Sequence, residues 1–391
     1  MCYNNTMETK LIKRVAYKQV VMTLKDNQIP LIIGLRRIGK TTILKQLNKE
    51  FKNSFYLSLD DFEIYALKDL ELWNYLVDLS AKYDLLLLDE VQLRKGWDLI
   101  IKNLFDKFTS NNICKYVVTG SSSINLLGKE MGVNRIKRIY LDTWDFDEYL
   151  TLSGKKKTFA EFEIFLGRGF PAYIQSDKSI FDMLNETLKP IILNDIPKAF
   201  NNIDTLALMR FIKELSHLSN GEVNETTLAN KVGITRVTAK NYLDILERAS
   251  LIKIIFKMDE RLIIGKKKTK KVYLNPHLHV WLLGKQFSEI NGKYKGHIIE
   301  SYWLYWATSI NGWTKQFYYY QDSTSKEEID FILLNPNGSI KTLHEFKYSD
   351  SPSINKTFRT TISQNKFLWC KETKHKDNYE MVSILDMNGN W

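Results

Sequence analysis

The sequence predicts an α/β protein built in parts: a parallel sheet covered by helices, then a helical stretch, then an α/β tail. Three observations predict it. Short apolar strands alternate with amphipathic helices over the first 150 residues, the stretch 204–250 has helical periodicity, and the segment after His297 returns to strands joined by a turn. The first strand is the apolar run 29–33, followed by a glycine-rich turn and a helix carrying Ile43, Leu44, Leu47 and Phe51 on one stripe. Further short apolar strands are expected at 55–59, 85–88 and 116–119. Fully apolar strands of this kind belong to parallel sheets buried on both faces, whose ligands sit at the carboxyl ends of the strands. The tail reads as a helix from His297 and strands at 316–321, 328–334 and 340–348.

A chain of 391 residues exceeds one ordinary core, and two to four domains are expected. Hydrophobic content of 44% with 26% charged residues excludes general disorder. No apolar run approaches the roughly 18 residues of a membrane span. The first ten residues are polar and lack the apolar stretch of a secretion signal, so a cytoplasmic protein is expected. Cys2, Cys114 and Cys370 are far apart, which argues against a zinc site or a disulfide framework. The formal net charge of +11 favours polyanionic partners. Two charged interruptions, at 153–157 and 266–271, punctuate the chain.

Gly34-Leu35-Arg36-Arg37-Ile38-Gly39-Lys40-Thr41 follows the first strand and opens a helix. This is the GxxxxGK[ST] phosphate-binding pattern in its required context. Backbone N–H groups wrap the phosphates at the positive end of the helix, with Gly34, Arg36, Arg37, Gly39, Lys40, Thr41 and Thr42 as the binding set. Lys40 is expected to reach the β- and γ-phosphates of ATP, and the Thr41 hydroxyl to join the Mg²⁺ shell. The strand 85–88 ends in Asp89 and Glu90. Asp89 is expected to hold Mg²⁺ through water and Glu90 to orient or deprotonate the attacking water. Thr119, ending the next strand, is either a γ-phosphate sensor or part of a plain strand-to-loop turn.

The order GLRRIGKTT, LLLLDEVQ, VVTGSSS and NRIKRIYLDTWDFDEYL resembles the AAA-type ATPases of the archaeal-ATPase and STAND-related group. The resemblance implies a P-loop NTPase sheet and continuation into a C-terminal region of the DUF4143 type. It also implies an arginine that acts on a neighbouring subunit's γ-phosphate, hence a homo-oligomer. Arg135 matches that position and Arg138 is the alternative. Gly167-Arg168-Gly169-Phe170-Pro171 resembles the group's GGxP turn, with Arg168 in place of a glycine, and is read as structural.

Residues 224–235 have helix-turn-helix character: Asn224 to cap the first helix, Leu228, Ala229 and Val232 as its buried stripe, Gly233 at the turn and Thr235 as the second cap. The second helix is expected to bury Val237, Tyr242, Leu243 and Leu246, and to expose Arg236, Lys240 and Asn241 to DNA. The segment 251–256, the lysine run and 272–274 read as a β-wing, with Lys267, Lys268 and Lys270 along the DNA backbone. The competing reading is a lid that only packs.

In the tail, a helix carries Glu300, a strand carries Asp330, Asn335-Pro336-Asn337-Gly338 turns the chain, and the returning strand carries Glu345-Phe346-Lys347. That order resembles the PD-(D/E)xK nuclease superfamily. Alternation puts Glu345 and Lys347 on one face. Asp330 and Glu345 are then candidate ligands of one divalent ion, with Lys347 stabilising hydroxide or phosphate charge and Glu300 auxiliary. Surface ion pairs, or the fold without catalysis, are the alternatives.

The expected layout is an ATPase domain at 1–155, a helical lid at 156–203, a winged helix-turn-helix at 204–285 and a restriction-endonuclease-like α/β domain at 286–391. The expected function is an ATPase that couples hydrolysis to DNA binding and metal-dependent DNA cleavage. The runner-up is a STAND-like ATP-driven switch whose C-terminal half binds protein or DNA without cutting.

Overall fold

The computed structural model describes residues 13–121, 135–174, 176–200, 203–218, 220–259, 269–311, 317–349, 352, 354, 356–361, 365–371, 374–376 and 379–386. The chain divides into two units, one of residues 1–155 with 170–175 and one of 156–169 with 176–391.

The first unit is a five-stranded, wholly parallel sheet in the order β2-β3-β4-β1-β5. Its strands are β1 (Ile29–Gly34), β2 (Ser54–Ser58), β3 (Leu85–Asp89), β4 (Lys115–Ser121) and β5 (Ile136–Tyr140). All six residues of β1 and all five of β3 are buried, as expected where helices cover both faces of a parallel sheet. The helix Val15–Lys25 packs on β1, β4 and β5, and Lys40–Glu50 packs on β1 to β4. One core runs through Ile33, Leu57, Leu76, Leu86, Leu88, Ile101 and Tyr116. From β1 the chain steps to the far edge at β2, and β4 crosses back over β1 to β5. The carboxyl end of β1 therefore lies where connections diverge, the usual ligand crevice of such sheets. The helix Lys40–Glu50 starts there. β5 had no sequence signal of its own: its pattern Ile136-Lys137-Arg138-Ile139-Tyr140 mixes buried and exposed positions, as befits an edge.

In the second unit the helices Thr205–Leu218, Glu225–Val232 and Arg236–Arg248 lead into an eight-stranded mixed sheet, ordered β12-β13-β11-β10-β9-β8-β6-β7. The strands are β6 (Ile252–Lys257), β7 (Lys270–Leu274), β8 (Phe317–Gln321), β9 (Glu328–Leu334), β10 (Ile340–Phe346), β11 (Lys366–Cys370), β12 (Lys374–Lys376) and β13 (Tyr379–Ser383). Asn224 caps its helix by accepting from Thr226 and Thr227 N–H, Gly233 closes it at φ 78°, and Thr235 caps the next helix through Thr238 N–H. Val237, expected inside, is 69% exposed, because the stripe of that helix runs through Ala239, Tyr242, Leu243, Ile245 and Leu246.

The expected free wing is not free. β6 pairs with β8 in parallel, at Phe256–Tyr318 and Lys257–Tyr319, so the hairpin β6–β7 is the end of the tail's own sheet. Segments 204–285 and 286–391 thus share one sheet rather than forming separate domains, and 170–175 groups with the first unit instead of a lid. Behind the sheet, Trp303 of the helix Gly292–Asn311 stacks on Phe331 at 4.8 Å and meets His344 at 4.4 Å and Phe346 at 5.3 Å.

Candidate functional site

At the carboxyl end of β1, the loop 34–39 turns into the helix Lys40–Glu50. Gly34 is required because a Cβ there would lie 2.2 Å from the Leu141 carbonyl oxygen. Gly39 sits at φ 101°, a conformation that side chains rarely adopt. Lys40 is 4% exposed, and its Nζ donates to the carbonyls of Gly34 and Leu35 at 3.0 Å each. Thr41 Oγ1 donates to Asp89 Oδ2 at 2.7 Å, Tyr56 OH donates to the same oxygen at 2.9 Å, and Thr119 Oγ1 donates to Asp89 Oδ1. The helix Lys40–Glu50, β2 and β4 thus meet on one carboxylate at the end of β3. Burial and the Asp89 charge raise the Tyr56 phenol, which keeps it protonated and a donor.

Glu90 follows at φ 54°, a left-handed conformation that a glutamate rarely adopts and that is frequent at functional sites. Its carboxylate accepts from Gln92 Nε2, and its N–H donates to Thr119 Oγ1 at 3.3 Å. A cavity of about 710 Å³ opens here, lined among others by Arg36, Arg37, Gly39, Lys40, Thr41, Thr42 and Glu90. That volume is in the range of small-molecule sites. Ile38, Asp60, Leu93, Pro171 and Ala172 complete the lining, and Arg37 Nη1 donates to Tyr173 OH at 3.1 Å. Asp60, Leu93, Ala172 and Tyr173, with Tyr56 and Gln92, escaped the sequence reading, whereas Pro171 belongs to the turn read as structural. Asp60 alone had a usable signal, an acid just beyond the end of an apolar strand.

Arg135 lies elsewhere. Its carbonyl accepts from Ile29 N–H at 2.8 Å, at the start of β1, so it stands at the end of the sheet opposite the loop. Its guanidinium pairs with Asp106, Nε to Oδ1 at 2.9 Å and Nη2 to Oδ2 at 3.3 Å. Arg138 is exposed on the edge strand β5.

In the second unit the tail residues do converge. The β9–β10 register pairs Phe331 with His344, and one further step sets Asp330 opposite Glu345. Asp330 Oδ2 accepts from Phe346 N–H at 2.8 Å, and Lys347 Nζ is 2.7 Å from Glu345 Oε1. Burial and the neighbouring carboxylates raise Asp330 well above its ordinary range and push Glu345 up to about 7. Burial also raises Glu300, but His297 and Lys271 outweigh it and leave Glu300 lowered. Lys271, an unforeseen member contributed by β7, is 8% exposed and pairs with Glu328. Among the described residues no three His, Cys, Asp or Glu side chains converge as a metal-holding group. His344 faces the aromatic side, bonded to Thr342 at 2.7 Å and Trp369 at 3.1 Å, as strand alternation requires.

Of the DNA candidates, Arg236, Lys240 and Asn241 are exposed on their helix, and Arg236 Nε also donates to Glu225 at 3.3 Å. Lys270 pairs with Glu225 at 2.7 Å with only 13% of its side chain exposed, which takes it off any wing tip. Lys266, Lys267 and Lys268 fall outside the described residues.

Residues 162–284 match the family model described as Domain of unknown function DUF8612, where the sequence suggested the DUF4143 type. Two uncharacterized proteins of Methanocaldococcus jannaschii are similar over most of their length. MJ1637 is 26% identical over 362 residues, 79% of this chain and 73% of the relative; MJ1544 is 27% identical over 386 residues, 90% and 83%. Among solved structures, AMPPCP-bound DnaA from Aquifex aeolicus superposes with a TM-score of 0.33 at 13% identity, over 62% of this chain and 92% of DnaA. A RuvB variant from Thermotoga maritima gives 0.34 at 17%, over 64% and 91%. No helix among the described residues is long and apolar enough to cross a membrane. Residues 26–150 match the family model described as AAA domain, and all five strands of the first unit's sheet lie within that span.

Proposed function

We propose that the first unit binds ATP with Mg²⁺ and hydrolyses it, and that the second unit engages DNA in a nucleotide-dependent way. The observation that carries the ATPase reading is the Thr41–Asp89–Thr119 chain of hydrogen bonds, buried at Asp89 and Thr119, which starts at a cavity lined by Thr41, Lys40 and Glu90. Thr41 and Asp89 present the oxygen donors Mg²⁺ prefers. The ion supplies charge for the β- and γ-phosphates when bound. Lys40 neutralises the phosphates, and Glu90 takes up or orients the proton of the attacking water. Lys40→Ala should lower ATP affinity by at least about a hundredfold, whereas Glu90→Gln should keep binding and lose turnover. Wild-type hydrolysis in Lys40→Ala would sink this reading.

For the second unit, the Asp330–Glu345–Lys347 arrangement supports metal-dependent DNA cleavage, with Glu300 near by. The burial of Glu345 at 1% exposure and its pairing with Lys347 favour the runner-up, a switch that binds without cutting. Plasmid and single-stranded DNA incubated with Mg²⁺ or Mn²⁺, with and without ATP, separate the two. Cleavage lost in Asp330→Ala, Glu345→Ala and Lys347→Ala, with ATP turnover intact, supports the nuclease. No cleavage under any condition supports the switch.

A further inference from the structure

Arg14 is 8% exposed and spends its whole guanidinium on four groups. Nε donates to Glu148 Oε2 at 3.0 Å, and Nη1 to the carbonyls of Ile38 at 3.0 Å and Asp142 at 3.1 Å. Nη2 donates to the carbonyls of Asp142 and Thr143, both at 3.1 Å, and lies 2.9 Å from Glu148 Oε2. Ile38 belongs to the phosphate loop, whereas Asp142 and Thr143 belong to the turn after β5. Glu148 lies in the helix Phe146–Ser153, where it completes a capping box with Asp145 and accepts from Val15 N–H at 3.0 Å. One buried, fully engaged guanidinium therefore joins the loop to the turn after β5 and to the helix Phe146–Ser153.

The bond to Ile38 has a directional consequence. In a trans peptide the C=O and the following N–H point in opposite directions. A carbonyl of Ile38 drawn inward to Arg14 turns the Gly39 N–H outward, and Gly39, which stands just before the helix Lys40–Glu50, lines the cavity. Gly39 also has the positive φ that this orientation uses. We propose that Arg14 is a positioning residue for nucleotide: by holding the Ile38 carbonyl it aims the Gly39 N–H at the phosphates. The inference rests on the ATP reading above. Arg14 does not touch the nucleotide; it acts through the peptide it orients.

A lysine keeps the charge but has no planar fork, so it cannot hold Ile38, Asp142 and Glu148 together. Arg14→Lys in the full chain should weaken ATP, ADP and inorganic tripolyphosphate about ten- to a hundredfold, the scale of one hydrogen bond to a charged group. Because the Gly39 N–H serves ground and transition states alike, KM should rise while kcat stays within a fewfold of wild type. In Arg14→Ala, added guanidinium ion at millimolar concentration should restore part of the affinity and methylammonium should not. If Arg14→Ala does not fold, Arg14→Lys carries the test, with its unfolding midpoint measured alongside. Wild-type ATP affinity in folded Arg14→Lys, or a fall in kcat with KM unchanged, overturns the inference while leaving the ATP reading intact. Absence of ATP binding by the wild-type protein overturns the ATP reading itself.

Discussion

Glu345 illustrates how a single side chain reports on its surroundings. It is almost wholly buried on a central strand, opposite Asp330, and is pushed up to about 7 by burial, against the pull of Lys347. The folded state thus holds a proton that the unfolded chain releases near the ordinary glutamate range of about 4.3. Such an acid adds stability below that range, and the addition is lost as pH climbs towards 7. Asp330 acts with the same sign, and so does Asp145 in the first unit, also pushed up to about 7. These three acids pull the unfolding midpoint down between about pH 5 and pH 7, while His277, His279 and His344, lowered by burial, pull it up over the same range, so Glu345→Gln should tilt the profile towards stability that rises with pH. An unchanged pH profile in Glu345→Gln would mean that the carboxylate is already ionised in the fold. Single residues were legible unevenly. Lys40, Thr41 and Asp89 stand out because a motif fixes their spacing along the chain. Arg14, Tyr56, Tyr173 and Lys271 do not, because each reaches its site from a segment distant in sequence, with no local pattern to announce it.

At the scale of elements, periodicity locates the buried strands and the two capped helices at 225–248, since a strand buried on both faces and a capped amphipathic helix write their patterns locally. What it misses is partnership. The run 252–274 reads correctly as a hairpin, yet nothing in it says that β6 will pair with β8 (Phe317–Gln321), far beyond its partner β7 in sequence. That pairing bears directly on DNA contact. Lys270 and Lys271 spend their charge on Glu225 and Glu328, so the exposed cations of the described module are Arg236, Lys240 and others on the helix faces. Lys240→Gln should weaken DNA binding uniformly across sequences and reduce the salt slope by about one unit per lost phosphate contact. Asn241→Ala, which removes a base-reading type, should change sequence preference instead. Lys270→Gln should leave DNA affinity unchanged and lower the unfolding midpoint. If Lys240→Gln leaves affinity and salt slope as they were, the helix-turn-helix is a packing element and not a reader.

At the scale of the whole molecule the open matter is whether one chain suffices for hydrolysis. The nucleotide end of the sheet supplies Lys40, but Arg135 stands at the other end, five residues of β1 away, which at about 3.3 Å per residue is roughly 17 Å. An arginine so placed cannot serve the phosphates of its own chain without dismantling the strand it is hydrogen-bonded to. A second copy stacked sheet-end to sheet-end could offer it, in the head-to-tail manner that builds rings or filaments. Within one chain its guanidinium is held by Asp106, an ion pair about a third to two-fifths exposed and hence weak enough to exchange for a phosphate. Turnover per chain should therefore rise with protein concentration, and Arg135→Ala should abolish that rise while leaving ATP affinity within about twofold. Mixing Arg135→Ala with Lys40→Ala gives the decisive case. Each variant alone lacks one half of the site. A mixed assembly restores complete sites wherever an intact loop meets an intact arginine, so the mixture should regain activity that neither parent has. A mixture no more active than the sum of its parts, at concentrations where the wild type is fully active, would show that Arg135 serves only its ion pair with Asp106.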